Sequence, residues 1–259
     1  MGKILIGMVH LPALPGAPGA ELSMDEIERR AVNEARTLLD AGFNGCILEN
    51  FGDTPFHKDH VAPVTVAAMA RVVAAVCHAF PDWRVGVNVL RNDARAALSI
   101  ASVCGARFVR INVHVGATAT DQGVVEGQAA ETLRLRRALG SAVEIWADVQ
   151  VKHGQSLAHA DIALEAEDAV RRGHADTLVV SGRATGKATD LVELKRVTDL
   201  GLGVPVLVGS GADERSAPRY LEVADGIIVG TALKVSPDPT SPLDPERVGR
   251  FVAAARAGR

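Results

Sequence analysis

The sequence predicts an α/β chain closed into a single-domain (β/α)8 TIM barrel over residues 1–259, on three observations. Strand-like and helix-like runs alternate from end to end. Eight such βα units consume all 259 residues with no linker, charge run or low-complexity stretch left over. A helix–glycine–short link–strand punctuation recurs at Gly42, Gly105 and Gly173, which marks an internal repeat of βα pairs. Right-handed crossovers make closure of eight parallel strands the natural solution. An open doubly wound sheet fits less well, because no Gly-x-Gly-x-x-Gly follows the first strand.

The strand candidates are Lys3–Val9, Gly45–Glu49, Arg84–Val89, Arg107–Val113, Val143–Val149, Thr177–Ser181, Val204–Val208 and Gly226–Val229. They are short, rich in Val and Ile, and bounded by Gly, Asn, Asp or Pro. In the first helix Ile27, Ala31, Ala35, Leu38 and Leu39 form one apolar stripe. Ser23 with Glu26 makes a capping box at its start, and Gly42 stops it. Similar patterns predict helices over 62–79, 93–104, 126–140, 161–173, 187–200, 213–224 and 244–257.

Composition narrows the function classes. There are 28 Lys+Arg against 31 Asp+Glu, a formal charge of −3, and only 3% aromatic residues. A nucleic-acid binder needs a basic face and stacking platforms, so this balance points to a small-molecule protein. Cys46, Cys77 and Cys104 form no CxxC and are read as reduced structural thiols, which sets the expected location as cytoplasmic. The apolar run after Lys3 ends at His10, too short for a signal peptide, and Ile6 stands where a myristoylation signal needs Ser or Thr. The most apolar helical stretch, Val64–Phe80, carries Arg71 and His78, so no transmembrane segment is expected. That stretch is read as a homo-oligomer interface or as barrel packing, and is the best candidate contact surface for an assembly factor.

Strand parity then identifies the residues that face the barrel interior. Apolar residues at alternate positions pack outward on helices, so polar residues between them point inward. Val109, Ile111 and Val113 leave Arg110, Asn112 and His114 inside; Val85, Val87 and Val89 leave Asn88 inside. By the same parity Glu49 and Asp148 face inward near the ends of their strands, and His10 ends the first strand. His10, Glu49, Asn50, Asn88, Arg110, Asn112, Asp148 and Lys152 therefore converge on the C-terminal mouth, where barrel active sites are built. Asp148 and Glu49 are candidate acid and base groups. Lys152 is a candidate stabiliser of an enolate or oxyanion, or a Schiff-base lysine. Asn50, Asn88, Arg110, Asn112, His10 and Ser181 are candidate substrate-binding groups.

Two glycine turns suggest a phosphate pocket, Val208-Gly209-Ser210-Gly211 after the seventh strand and Val229-Gly230-Thr231 after the eighth. In barrels these two loops commonly hold a phosphate on backbone N–H groups, which makes the expected fold one of the phosphate-binding type. Gly182–Ala188 imitates a nucleotide-binding loop, but its spacing is short and Ala188 replaces the hydroxyl that holds magnesium. Arg183 and Lys187 in that loop remain candidate anion clamps. His57-Lys58-Asp59-His60 reads as solvated surface rather than a metal site, and no nucleophile elbow occurs. No metal and no cofactor are expected.

With these residues laid out, the chain resembles the BtpA family over nearly its full length. The resemblance rests on Gly7-Met8-Val9-His10-Leu11-Pro12, Glu49-Asn50-Phe51-Gly52-Asp53 with Pro55-Phe56, and Gly86-Val87-Asn88-Val89-Leu90-Arg91-Asn92-Asp93. It continues through Phe108–Val113, Asp121-Gln122-Gly123, Ala147-Asp148-Val149 with Val151-Lys152-His153, and Val229–Lys234. The resemblance implies a phosphate-binding barrel. The family's name comes from a role in the biogenesis or stability of photosystem I in photosynthetic bacteria, and other members occur in organisms without photosystems.

Two functions follow as expectations. One is an enzyme acting on a phosphorylated sugar or nucleotide-like small molecule by isomerase or lyase chemistry next to a carbonyl, with glycosidic-bond cleavage open to the same carboxylates. The other is a non-catalytic biogenesis or stability factor for a membrane complex such as photosystem I.

Overall fold

In the computed structural model, which describes residues 2–150, 154–157, 161–182 and 189–257, eight parallel strands close on themselves. They are β1 (Ile4–His10), β2 (Gly45–Glu49), β3 (Arg84–Asn88), β4 (Phe108–Ile111), β7 (Glu144–Val149), β9 (Thr177–Val180), β10 (Val206–Val208) and β11 (Gly226–Val229). Each neighbour in the barrel is the next barrel strand in sequence, and β11 returns to β1 through Ile4↔Gly226 to Gly7↔Val229. The helices between them are α1 (Met24–Asp40), α2 (Pro63–Ala79), α3 (Ala94–Cys104), α4 (Ala129–Ala138), α5 (Ile162–Arg171), α6 (Leu191–Thr198), α7 (Ala217–Val223) and α8 (Pro245–Ala257).

Local chemistry starts and stops these elements. The Ser23 hydroxyl accepts from the Glu26 N–H at the start of α1, and Ile27, Ala31, Ala35 and Leu38 bury its apolar stripe. Asp93, Asp161 and Asp190 cap α3, α5 and α6 in the same way. The helix α2 buries Ala68, Met69, Val72, Val73 and Val76, so most of its apolar surface is spent on barrel packing. On its outer side Arg71 pairs with Asp25 and Glu28 of α1. Among the described residues, no helix is long and apolar enough to cross a membrane.

Two apolar layers result. Between strands and helices lies the larger core, holding Cys46, Leu48, Val85, Val87, Val109, Ile111, Ile145 and Ala147. Inside the barrel a smaller cluster of Ile6, Met8, Ile47, Phe108, Trp146, Val179, Leu207 and Ile228 fills the floor. Phe108 and Trp146 stack there at 3.7 Å between centroids, and the Trp146 N–H donates to Glu144 at 2.9 Å. The polar inward residues predicted from parity begin directly above this plug.

The barrel carries one addition that strand periodicity did not announce. β5 (Ala117–Thr120) and β6 (Gly123–Glu126) form a hairpin after β4, and β8 (Gly154–Ser156), from the β7–α5 connection, adds antiparallel to β5. The expected strand Arg107–Val113 is accordingly shorter. Beyond Ile111 the chain leaves the ladder, and His114, expected inside, is buried with its Nε2 2.8 Å from the Gly173 carbonyl in the turn after α5. Burial pushes the His114 imidazole below its ordinary 6.5, partly opposed by that carbonyl.

Two consequences are measurable. Phe108→Ala opens a cavity in the barrel floor and should cost about 3–5 kcal/mol in chemical denaturation; a loss below about 1 kcal/mol contradicts the stacked plug. Because His114 folds in its neutral form, its contribution is full above about 6.5 and erodes as pH falls through that value. His114→Gln should therefore flatten the fall in Tm between pH 7 and 5, and an unchanged slope contradicts the assignment.

Candidate active site at the barrel mouth

The strand ends surround a cavity of about 1300 Å³, lined by His10, Glu49, Arg91, Arg110, Asn112, Asp148 and the two glycine turns, among others. The Asp148 carboxylate, near the end of β7, is wholly buried in this lining. Arg110 Nε donates to Asp148 Oδ1 at 3.0 Å, and Arg110 Nη2 reaches Oδ1 at 2.9 Å and Oδ2 at 3.2 Å. Asn112 Nδ2 donates to Oδ2 at 2.6 Å. Both carboxylate oxygens are engaged, which is what a buried ion pair needs if it is to persist away from water.

This frame extends sideways. Arg110 Nη2 also donates to the Ser181 hydroxyl at 3.4 Å, and Asn88 Nδ2 donates to the Arg110 carbonyl at 3.0 Å. A side chain on Gly209 would stand 3.2 Å from Arg110 Nη2 and only 2.4 Å from Ser181 Oγ. The glycine therefore lets the first turn close over the guanidinium.

The opposite wall is built from β1 and β2, where His10 and Glu49 are register partners. His10 Nε2 lies 3.7 Å from Glu49 Oε1, and His10 Nδ1 lies 3.0 Å from the Pro239 carbonyl. Phe51 packs on the imidazole at 5.0 Å between centroids. Gly230 sits against the other edge of the ring, where a Cβ would be 2.7 Å from His10 Cε1.

The two glycine turns face this cavity with donors rather than charges. Ser210 Oγ is buried with no hydrogen-bond partner, and among the described residues no acceptor meets the N–H of Ser210, Gly211, Ala212 or Thr231. Beneath the second turn, the wholly buried Lys234 donates to Glu34 of α1 at 2.9 Å and pins the 3-10 turn Thr231–Leu233 to the barrel wall. Burial raises the Glu34 carboxyl above its usual range, against the pull of Lys234.

Other predicted residues stand differently. Asn50 does not face the cavity: its Oδ1 accepts from the Leu90 N–H at 2.7 Å and its Nδ2 donates to Asp53 at 3.0 Å, which ties the β2 loop to the β3 loop. Asn88 is buried beneath the mouth, its Oδ1 without a partner. Lys152, Arg183 and Lys187 lie outside the described residues. Among the described residues no group of three or more His, Cys, Asp and Glu could hold a metal ion.

Charged cavity residues that strand parity did not reach include Arg91 and Asp121. Arg91, buried just past β3, is lowered by desolvation and drawn back by Asp148, Asp121 and Glu49. Asp121 reaches the cavity from the β5–β6 turn. Both belong to blocks that carried the family resemblance, which was the one signal available for them.

The central pair is open to test by a double-mutant cycle. Arg110→Met alone strands a buried carboxylate and should cost about 3–5 kcal/mol, whereas adding Asp148→Leu should recover a large part of it. Additive losses contradict a coupled buried pair.

Comparison with known proteins agrees with this architecture. Among solved structures, thiamine phosphate pyrophosphorylase from Pyrococcus furiosus superposes with a TM-score of 0.63 at 13% identity, covering 99% of this chain and 96% of that one. A geranylgeranylglyceryl phosphate synthase from Thermoplasma acidophilum, in complex with sn-glycerol-1-phosphate, gives 0.61 at 16% identity, with 99% and 94% covered. At these identities the likeness is one of fold. In sequence, the chain is 42% identical over 254 residues to the photosystem I biogenesis protein BtpA of Synechocystis, covering 98% of this chain and 88% of that protein. It is 32% identical over 256 residues to an uncharacterised mitochondrial protein of Caenorhabditis elegans, covering 96% and 91%. The BtpA family model matches residues 1–257, and the chain belongs to the BtpA family.

Proposed function

We propose that the chain is an enzyme acting on a phosphorylated sugar or nucleotide-like small molecule, by proton transfer next to a carbonyl. The observation that carries this reading is the meeting, in one cavity, of two donor-rich glycine turns with buried carboxylates, arginines and an imidazole. The phosphate group would sit on Gly209, Ser210, Gly211, Gly230 and Thr231, with the Ser210 hydroxyl as an added donor. The phosphorylated ligand and names of the two structural relatives above are consistent with such a site in this fold.

The rest of the cavity would then handle the reacting end. Arg110, Asn112 and Arg91 offer donors for hydroxyl, carboxylate or enolate oxygens, and the Ser181 hydroxyl holds Arg110. Glu49 and Lys152 are the groups proposed for acid–base or carbanion-stabilising work, with Asp148 held as the counter-charge of Arg110. A second reading, a biogenesis factor for a membrane complex, draws on the name of the Synechocystis relative. Under it, capture of a membrane complex should survive Asp148→Asn and fail on surface changes along α2.

The phosphate reading is tested by thermal shift with inorganic phosphate and a panel of sugar phosphates. These should raise Tm, and Ser210→Ala should weaken binding about tenfold while leaving the free protein's Tm nearly unchanged. No shift from any of them at millimolar concentration overturns the reading.

A further inference from the structure

We propose that His10 and Glu49 are the proton-transfer pair of this site, and that Arg110, Asp148 and Asn112 form a fixed frame that positions substrate without moving a proton. The proposal rests on the phosphate-enzyme reading above and deepens it.

The hydrogen-bond geometry separates the two groups of residues. A proton on Asp148 would have to displace one of the donors already on its oxygens, from Arg110 or Asn112, and would leave a guanidinium buried beside a neutral acid. That arrangement holds a carboxylate still. His10 is set up differently. The Pro239 carbonyl can only accept, so the contact at 3.0 Å places the hydrogen on His10 Nδ1. The second ring nitrogen, Nε2, is then the one turned toward Glu49 at 3.7 Å. The side chains of both are about nine-tenths buried, at 8% and 9% exposure, and both line the cavity. At that distance a Glu49 carboxylate and a His10 imidazolium would neutralise one another.

The ring's position supplies the link to substrate. Its Cε1 edge lies against Gly230, at the head of the second glycine turn. A phosphate held there would favour the charged imidazole and would fix the carbon chain of the substrate beside both groups.

The step balances without any further reactant. The Glu49 carboxylate takes a proton from the carbon next to the carbonyl; the C–H electron pair becomes the C=C bond of an enol. The carbonyl oxygen takes the Nε2 proton of His10, which is left as the neutral Nδ1–H imidazole. Return of the Glu49 proton to the neighbouring carbon, with the enol hydroxyls exchanging protons through His10, converts an aldose phosphate to a ketose phosphate or the reverse.

Two measurements test this. In ring-nitrogen NMR of the wild-type protein, His10 Nδ1 should stay protonated at every pH, and only Nε2 should titrate; an Nε2–H neutral tautomer overturns the proposal. In D2O, with a panel of three- to six-carbon aldose and ketose phosphates as probes, the wild-type protein should exchange a carbon-bound proton. His10→Gln and Glu49→Gln should each slow that exchange about 100-fold or more while inorganic phosphate still raises their Tm. Exchange at the wild-type rate in either variant, or no exchange by the wild type on any probe, overturns the pair. Loss of the phosphate shift in the wild type instead overturns the phosphate reading, and the tautomer then decides the pair's geometry alone.

Discussion

A guanidinium and a carboxylate sealed inside the barrel, Arg110 on Asp148, set the terms for everything around them. Neither charge can stay there alone, because several kcal/mol would be needed to desolvate each without the other. The frame therefore recruits Asn112 to the remaining carboxylate lone pairs and Ser181 to the outer face of the guanidinium. It also requires glycine at position 209, where any side chain would press on both Arg110 and Ser181. Below it, the Phe108–Trp146 stack keeps water out of the floor. The cost of the pair is met by order, and that order would give the mouth a rigid reference for the proposed substrate.

Around this frame the cavity divides its labour by type of donor. The glycine turns offer backbone N–H groups and the Ser210 hydroxyl, with the buried Lys234–Glu34 pair holding the second turn from beneath. A chain of net charge −3 needs no basic surface for such an anion, since fixed dipoles converge where the phosphate would sit. The His10–Glu49 side, by contrast, carries groups that can gain and lose a proton. These two sides meet at Gly230, whose missing side chain makes room for the imidazole edge.

Much of this was legible in the sequence, for a simple reason. Period-two alternation told the outward residues Val85, Val87, Val109, Ile111, Ile145 and Ala147 from inward Asn88, Arg110 and Asp148, and the two cores divide along that line. The alternation rule stops where the ladder stops. His114 lies three residues past the end of β4, so its parity carried no information, and it packs on Gly173 instead. The three-stranded sheet above the mouth was invisible because Ala117–Thr120 is short and small-sided, and its partner Gly154–Ser156 lies far along the chain. Asn50 read as a mouth residue by neighbourhood with Glu49, yet its amide is consumed by the Leu90 backbone and Asp53. Arg91 sits in an irregular turn, where neither period applies, and its burial among carboxylates shows only in the fold.

The most direct test of the account is a crystal structure of the protein with a bound sugar phosphate. The phosphate should lie against the N–H groups of Ser210–Ala212 and Thr231, within hydrogen-bond distance of Ser210 Oγ, with the carbonyl end between Arg110, His10 and Glu49. A phosphate bound elsewhere, or a ligand whose carbonyl end lies away from His10 and Glu49, would contradict it.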